Sequence, residues 1–423
     1  MRRSLAALAT TAMVATGVAG LLSLTPQAQA ATTSRIPAHV FAPYFEAYNG
    51  DSLSGLSAQS GDKFLTLAFV QTPSRGSCTV YFNGDTSMPI SSGTFGSDIA
   101  TMRNMGGDVI PSFGGFAADN QGTEIADSCT NVDSIAAQFE KVVTTYDVTR
   151  IDLDIEDNSL SNTAGIDRRN KAIKKVEDWA AANGRLVQFS YTLPTTTGGL
   201  APDGLAVLQN AVANNARIDI VNMMTFDYYD NASHNMATDT QTSANGLINQ
   251  LRSLYPGRST AQLWSMVGII EMVGIDDFGP AETFTVANAT TVTNWAKTQG
   301  IASLSFWALQ RDNGGCPGTG GLDNCSGVSQ STWQFSKIMQ SFTSGSTSTP
   351  PTTPPTTPPT TKPTSPPTTP PTTAPGTTTW APNTPYVIGQ VVTYNGKRYQ
   401  CRQSHTSLPG WEPPNALALW LPV

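Results

Sequence analysis

The sequence predicts an α/β protein: a closed (β/α)8 TIM barrel followed by a small all-β module. Three observations predict this. Eight apolar segments of strand length alternate with amphipathic helical stretches over about 310 residues, from Arg35 to Phe342. Polar and aromatic residues gather at the C-terminal ends of those strands, where such barrels build their sites. No dinucleotide or P-loop glycine pattern follows the first strand, which disfavours an open doubly wound sheet.

Residues 1–30 read as a secretory signal. Met1-Arg2-Arg3 is a basic start, an alanine-rich apolar stretch runs to about Leu24, and Ala28-Gln29-Ala30 supplies small residues for cleavage. Thr, Ser and Gly dilute that stretch and Pro26 follows it, which argues against a membrane anchor. No later segment is apolar for long enough to span a bilayer. A secreted, extracellular protein is expected, and there disulfides persist. Of five cysteines, Cys316 and Cys325 flank a glycine-rich loop and are expected to pair. Cys78 and Cys129, both in loops after strands, make the second expected pair, which leaves Cys401 in the C-terminal module.

The formal net charge is −7, or −9 once Arg2 and Arg3 leave with the signal, and the mature part has no basic block. Nucleic acid and anionic membrane are therefore poor partners, and a neutral polymer fits better. With three His and no Cys-x-x-Cys pair, no metal and no cofactor is expected. A monomer is expected to be the acting unit.

The strands follow in order. His39–Phe45 ends in Tyr44, Phe45 and Glu46; Phe64–Val70 is continuously apolar; Val109–Phe113 runs into Gly114-Gly115. Between the third and fourth strands, Val132–Tyr146 reads as a helix with Ile135, Phe139, Val142 and Val143 on one side. After the fourth, Arg150–Glu156, comes the helix Ile166–Ala182, with Gly184 as its C-cap. The remaining strands are Leu186–Tyr191, Ile218–Phe226, Ala261–Val267 and Ile301–Leu309. The sixth ends in Asp227 and Tyr228, and the eighth ends in Trp307 and Gln310.

Within the fourth strand, Ile151-Asp152-Leu153-Asp154-Ile155-Glu156 alternates apolar and acidic residues. A strand places Asp152, Asp154 and Glu156 on one face. Close like charges push at least one pKa upward, and a carboxyl kept protonated near neutrality is what protonation of a glycosidic oxygen requires. Glu156, nearest the open rim, is expected to be the general acid. Neighbours on one strand do not easily flank a sugar, as the usual pair of carboxylates must. The pattern therefore points to a substrate that supplies its own nucleophile, such as the carbonyl oxygen of a C2 acetamido group. Asp154 would hold the acetamido N–H, with Asp152 tuning the pair from beneath.

The chain resembles the glycoside hydrolase family 18 chitinases of bacteria. The family's fourth-strand signature, Asp-x-x-Asp-x-Asp-x-Glu, maps to Thr149 through Glu156, with Thr149 in place of the first Asp. In the family that Asp belongs to a buried network, so the substitution implies a differently tuned Asp152. The Ser-x-Gly-Gly signature is present as Ser112 to Gly115, and Met-x-Tyr-Asp as Met224 to Asp227, with Phe226 for Tyr. The resemblance implies a catalytic role for Asp227, with Tyr228 standing in for the missing Tyr hydroxyl. It also implies Trp307 as the floor under the sugar, among substrate-binding residues Tyr44, Met224 and Phe226.

Only about 33 residues separate the seventh and eighth strand segments, too few for an extra wall over the groove, so an open cleft and internal cutting are expected. Residues 344–379, nearly all Pro, Thr and Ser, form an extended spacer. The module 380–423 contains a hairpin around Asn395-Gly396. It resembles carbohydrate-binding modules of families 5 and 12, which implies chitin and its N-acetylglucosamine oligomers as partners. Trp411 is the first choice as an exposed stacking platform and Trp420 the second, whereas Trp380 and Tyr399 fit platform or core equally. The alternatives are an endo-β-N-acetylglucosaminidase and a chitin-binding protein without activity.

Overall fold

A computed structural model of the chain describes residues 33–344 and 378–423, except 388, 402–404, 408–411, 415 and 417–418. The expected signal, nearly all of the spacer and Trp411 lie outside the described residues. The chain divides into two units at about residue 351.

In the first unit, eight parallel strands close on themselves. The first is split: Val40–Phe41 pairs with the eighth, Ser303–Trp307, and Tyr44–Glu46 pairs with the second, Phe64–Gln71. Pro43, between the halves, has no N–H to give the ladder, although its carbonyl accepts from Thr66 at 2.9 Å. The third to sixth strands are Asp108–Gly114, Arg150–Asp154, Gln188–Thr196 and Ile220–Met224, each parallel to its neighbours.

The seventh strand is displaced from the sequence expectation. It is Val267–Met272, and the helix Thr260–Trp264 takes up the first part of the expected Ala261–Val267. The cause is a capping box: Ser259 and Gln262 satisfy each other's backbone N–H groups, which starts a helix. Leu263 and Trp264 are buried on that helix, and a short apolar run does not reveal its period.

The helix Val132–Tyr146 forms as expected. Asn131 caps it by accepting from Ser134 N–H at 2.9 Å. It buries Ile135, Phe139, Val142, Val143 and Tyr146 against the sheet, and each large apolar side chain contributes roughly 1.5–3 kcal/mol. The next long helix, Thr163–Ala182, starts three residues before the expected Ile166 and is capped by Asn183. Gly184 follows at φ 62, and Arg185 N–H reaches Ala180 O at 2.9 Å, so the left-handed glycine closes the helix one position beyond the cap.

The barrel interior is layered. Val40, Ala42, Phe64 and Ile110 fill one end; Tyr44, Phe69, Met224 and Ile270 fill the other. Between them lies a belt of buried hydroxyls from Thr66, Ser112, Ser190, Thr192 and Ser305. Both expected disulfides, Cys78–Cys129 and Cys316–Cys325, are formed.

The second unit has one sheet of Thr378–Thr379, Val391–Tyr394, Lys397–Cys401 and Trp420–Pro422, and a short pair of Pro385–Tyr386 with His405–Thr406. The hairpin turns at Asn395 and Gly396, both with positive φ. Pairing of Cys401 with Trp420 carries the Trp420 ring into the core with Trp380, Tyr386, Val392 and Tyr399. Trp420 is fully buried, edge-on to Tyr386 at 5.0 Å, so the expectation of a surface platform there is corrected.

Candidate active site

The fourth strand is the spine of the site. Ile151, Leu153 and Ile155 enter the apolar layer under the helices, which turns Asp152 and Asp154 into the barrel. Asp152 lies within the belt of hydroxyls. Tyr44 Oη and Ser112 Oγ donate to its Oδ2 at 2.9 and 2.7 Å. Ser190 Oγ and Thr192 Oγ1 donate to its Oδ1 at 2.5 and 2.7 Å. Burial pushes its pKa up, and the four hydroxyls pull it back. Thr149 takes no part in this network: its hydroxyl pairs with Ser34 Oγ at 3.1 Å. Thr149 lies just before the strand Arg150–Asp154, away from Asp152.

Asp154 stands one step nearer the rim. Its Oδ1 is buried with no hydrogen-bond partner among the described residues. Burial, and then the charges of Glu156, Asp152 and Asp119, push its pKa well above the carboxylate range. The glycines of the third strand make room here. A Cβ on Gly114 would lie 2.0 Å from the Asp154 carbonyl oxygen, at a φ of 98°. One on Gly115 would lie 2.6 Å from the Phe69 ring.

Glu156 follows the strand in extended conformation, φ −132 and ψ 176, with its backbone N–H on Asp119 Oδ2 at 2.5 Å. Burial, helped by Asp157 and Asp277 and opposed by the Phe116 N–H, pushes its carboxyl up to about 7. It therefore holds a proton near neutrality, as a general acid must.

Trp307 is half-buried at the mouth. Its ring stacks on Phe69 at 5.6 Å with planes 10° apart and lies 5.9 Å from Tyr44. Its Nε1 donates to Asp323 at 3.4 Å. Met224 and Phe226 pack into the same cluster, so Trp307, Tyr44, Met224 and Phe226 come together as the sequence suggests.

Asp227 turns out of the sixth strand at φ 52, and its Oδ1 accepts from Phe278 N–H at 3.3 Å. Burial, then Asp276, Asp277 and Glu282, push it up to about 8. Tyr228 is placed differently from its expected role. Its ring packs on His234 at 5.0 Å and on the layer outside the barrel. Its backbone N–H is held by Glu282 at 2.8 Å, and the charges acting on it are Glu271, Asp239, Glu282 and Asp276. A chain turning outward after Asp227 carries the next side chain away from Asp154.

Sequence reasoning missed Phe69, Asp119, Asp276 and Asp277. With the seventh strand placed at Val267–Met272, the run Asp276-Asp277 falls just beyond its C-terminal end, at the open rim. That was the available signal. For Asp119 there was none, because only the tertiary fold brings it to Glu156.

Residues 40–300 match the model of the glycosyl hydrolases family 18, which covers more than half of the chain. The chain belongs to family 18 of the glycosyl hydrolases. Residues 379–421 match carbohydrate-binding module family 5/12. Among relatives of this family 18 chain is a "probable bifunctional chitinase/lysozyme" of Escherichia coli (strain K12), 33% identical over 286 residues, or 65% of this chain and 31% of that one. "Endochitinase 11" of Metarhizium anisopliae is 32% identical over 286 residues, covering 65% of this chain and 53% of its own. The match thus spans between about a third and a half of these curated relatives. The crystal structure of the catalytic domain of a hyperthermophilic chitinase from Pyrococcus furiosus is 30% identical. It superposes with a TM-score of 0.65 over 74% of this chain and 98% of that one.

Proposed function

We propose that this family 18 chain is a secreted, monomeric, endo-acting chitinase. It hydrolyses β-1,4 bonds between N-acetylglucosamine units with retention of configuration. One observation carries the reading: the buried, unpartnered Oδ1 of Asp154 lies one step behind an acid held protonated to about pH 7.

The substrate acetamido N–H donates to Asp154, which fixes the acetamide beneath the anomeric carbon. The acetamido carbonyl oxygen attacks C1 as the C1–O bond breaks, and Glu156 gives its proton to the leaving oxygen. The resulting oxazolinium ion is positive, and Asp154, backed by Asp152, stabilises it. Water then adds to C1, Glu156 takes its proton, and the acetamide is restored. Trp307, stacked on Phe69, offers a flat face to the sugar ring.

Internal cutting is supported by the short segment between the seventh and eighth strands. From Val273 to Ala302 the chain has only a pair of two-residue strands, a single turn of 3-10 helix and the helix Val286–Gln299. The similarity of residues 379–421 to a carbohydrate-binding family supports chitin as the partner.

Glu156→Gln is expected to abolish release of reducing ends from colloidal chitin while binding persists, and full activity in this variant would refute the assignment. Fresh products should keep the β configuration. Equal rates on fully deacetylated polymer would refute the acetamide route.

A further inference from the structure

Asp119 has no part in the chemistry above, yet it is fully buried beside it. It lies on the short helix Phe116–Gln121 after the third strand. Its Oδ2 accepts the Glu156 backbone N–H at 2.5 Å, and its Oδ1 has no hydrogen-bond partner among the described residues. A buried carboxylate so sparsely bonded is costly unless a cation stands near.

Arg169, fully buried on the helix Thr163–Ala182, pulls the Asp119 carboxyl down, but burial and then the Glu124 charge outweigh it and leave that carboxyl well above its ordinary range. Its guanidinium grips Glu124 through two bonds of 3.1 and 2.7 Å. Glu124 in turn accepts from the N–H groups of Ala126 and Asp127 at 2.8 and 3.0 Å. Asp127 accepts from Ser159 Oγ and from Asn162 Nδ2, the latter at 2.8 Å. The chain that follows Glu156 is therefore tied to the segment that carries Asp119 both at Glu156 itself and one helical turn later.

We propose that Asp119 is a positioning residue for the reaction, anchoring Glu156 through its backbone N–H from a segment that the Arg169–Glu124 pair and Asp127 hold in place. The inference rests on Glu156 being the acid. An acid must reach the leaving oxygen within hydrogen-bond distance, and a misplacement of about 1 Å costs on the order of a hundredfold in rate.

The test compares Asp119→Ala and Asp119→Asn on soluble N-acetylglucosamine oligomers, with kcat, KM and thermal midpoint measured separately. Asp119→Ala removes the acceptor, and kcat is expected to fall about tenfold or more with KM changed by less than about twofold. Asp119→Asn keeps an acceptor oxygen in the same place, and kcat should return to within about threefold of wild type. Where Asp119→Ala does not fold, Asp119→Leu fills the space without an acceptor and takes its place. A folded Ala or Leu variant with wild-type kcat overturns the proposal, as does an Asn variant no better than Ala. A purely structural role would lower the thermal midpoint and leave the kcat of the folded enzyme intact. An inert wild type or an active Glu156→Gln would instead overturn the assignment of the acid, so the two failures are distinguishable.

Discussion

Glu156 and Asp154 lie two residues apart on one chain, and their surroundings differ. Glu156 sits at the rim, where burial and Asp277 hold a proton on it up to about pH 7. Asp154 sits deeper, with an oxygen left open for a donor. In the proposed mechanism Glu156 acts protonated, so kcat on soluble oligomers should fall as pH rises through about 7. Asp277→Asn removes a negative charge that favours the protonated form. The alkaline limb of the kcat profile should then move to lower pH, and an unmoved limb would show that Asp277 does not act on Glu156. The alternating carboxylates were legible in sequence because a strand has a fixed period of two. The outward turn of Tyr228 was not legible, because it follows from the left-handed Asp227 and the hold of Glu282 on the next two N–H groups.

Among the elements, the third strand sets the geometry of the fourth. Gly114 pairs with Asp154 at a separation that no side chain fits. Gly114→Ala should destabilise the fold by about 1–3 kcal/mol or more and lower activity, since its Cβ would displace the carbonyl carrying Asp154. Denaturant unfolding together with kcat checks both effects. The loop beyond this strand is stapled by Cys78–Cys129, which spans 51 positions. Replacing both cysteines by Ser should cost about 2–4 kcal/mol, read as a lower denaturation midpoint. The displaced seventh strand shows where element reading fails. Leu263 and Trp264 are apolar in either conformation, and the Ser259–Gln262 box decides for helix.

For the whole molecule, many buried carboxyls share one consequence. Asp62 and Asp276 are pushed up to about 7, and Glu46 and Asp227 to about 8, with burial the largest cause in each. Their unfolded values lie near 4. Between those limits the folded chain binds more protons than the unfolded one, so stability is fully present below about pH 4 from these groups and is lost as pH rises toward 8. The thermal midpoint should therefore be higher at about pH 5.5 than at about pH 8.5. The C-terminal module belongs to the same scale. Removing residues 379–423 should lower the rate on insoluble chitin on the order of tenfold and spare soluble oligomers, because tethering raises the local concentration of the solid substrate.

The sequence alone determined the alternation of strands and helices, the acidic face of the fourth strand, both cysteine pairs and the small hairpin module. These are local patterns set by backbone period, turn chemistry and spacing. Only the tertiary structure decided that Trp420 is core and that Asp152 is satisfied by four hydroxyls from three strands. It alone decided that Asp119, thirty-seven positions from Glu156, holds that residue's main chain. Those outcomes depend on which faces meet when the sheet closes, and distance along the chain carries no record of that.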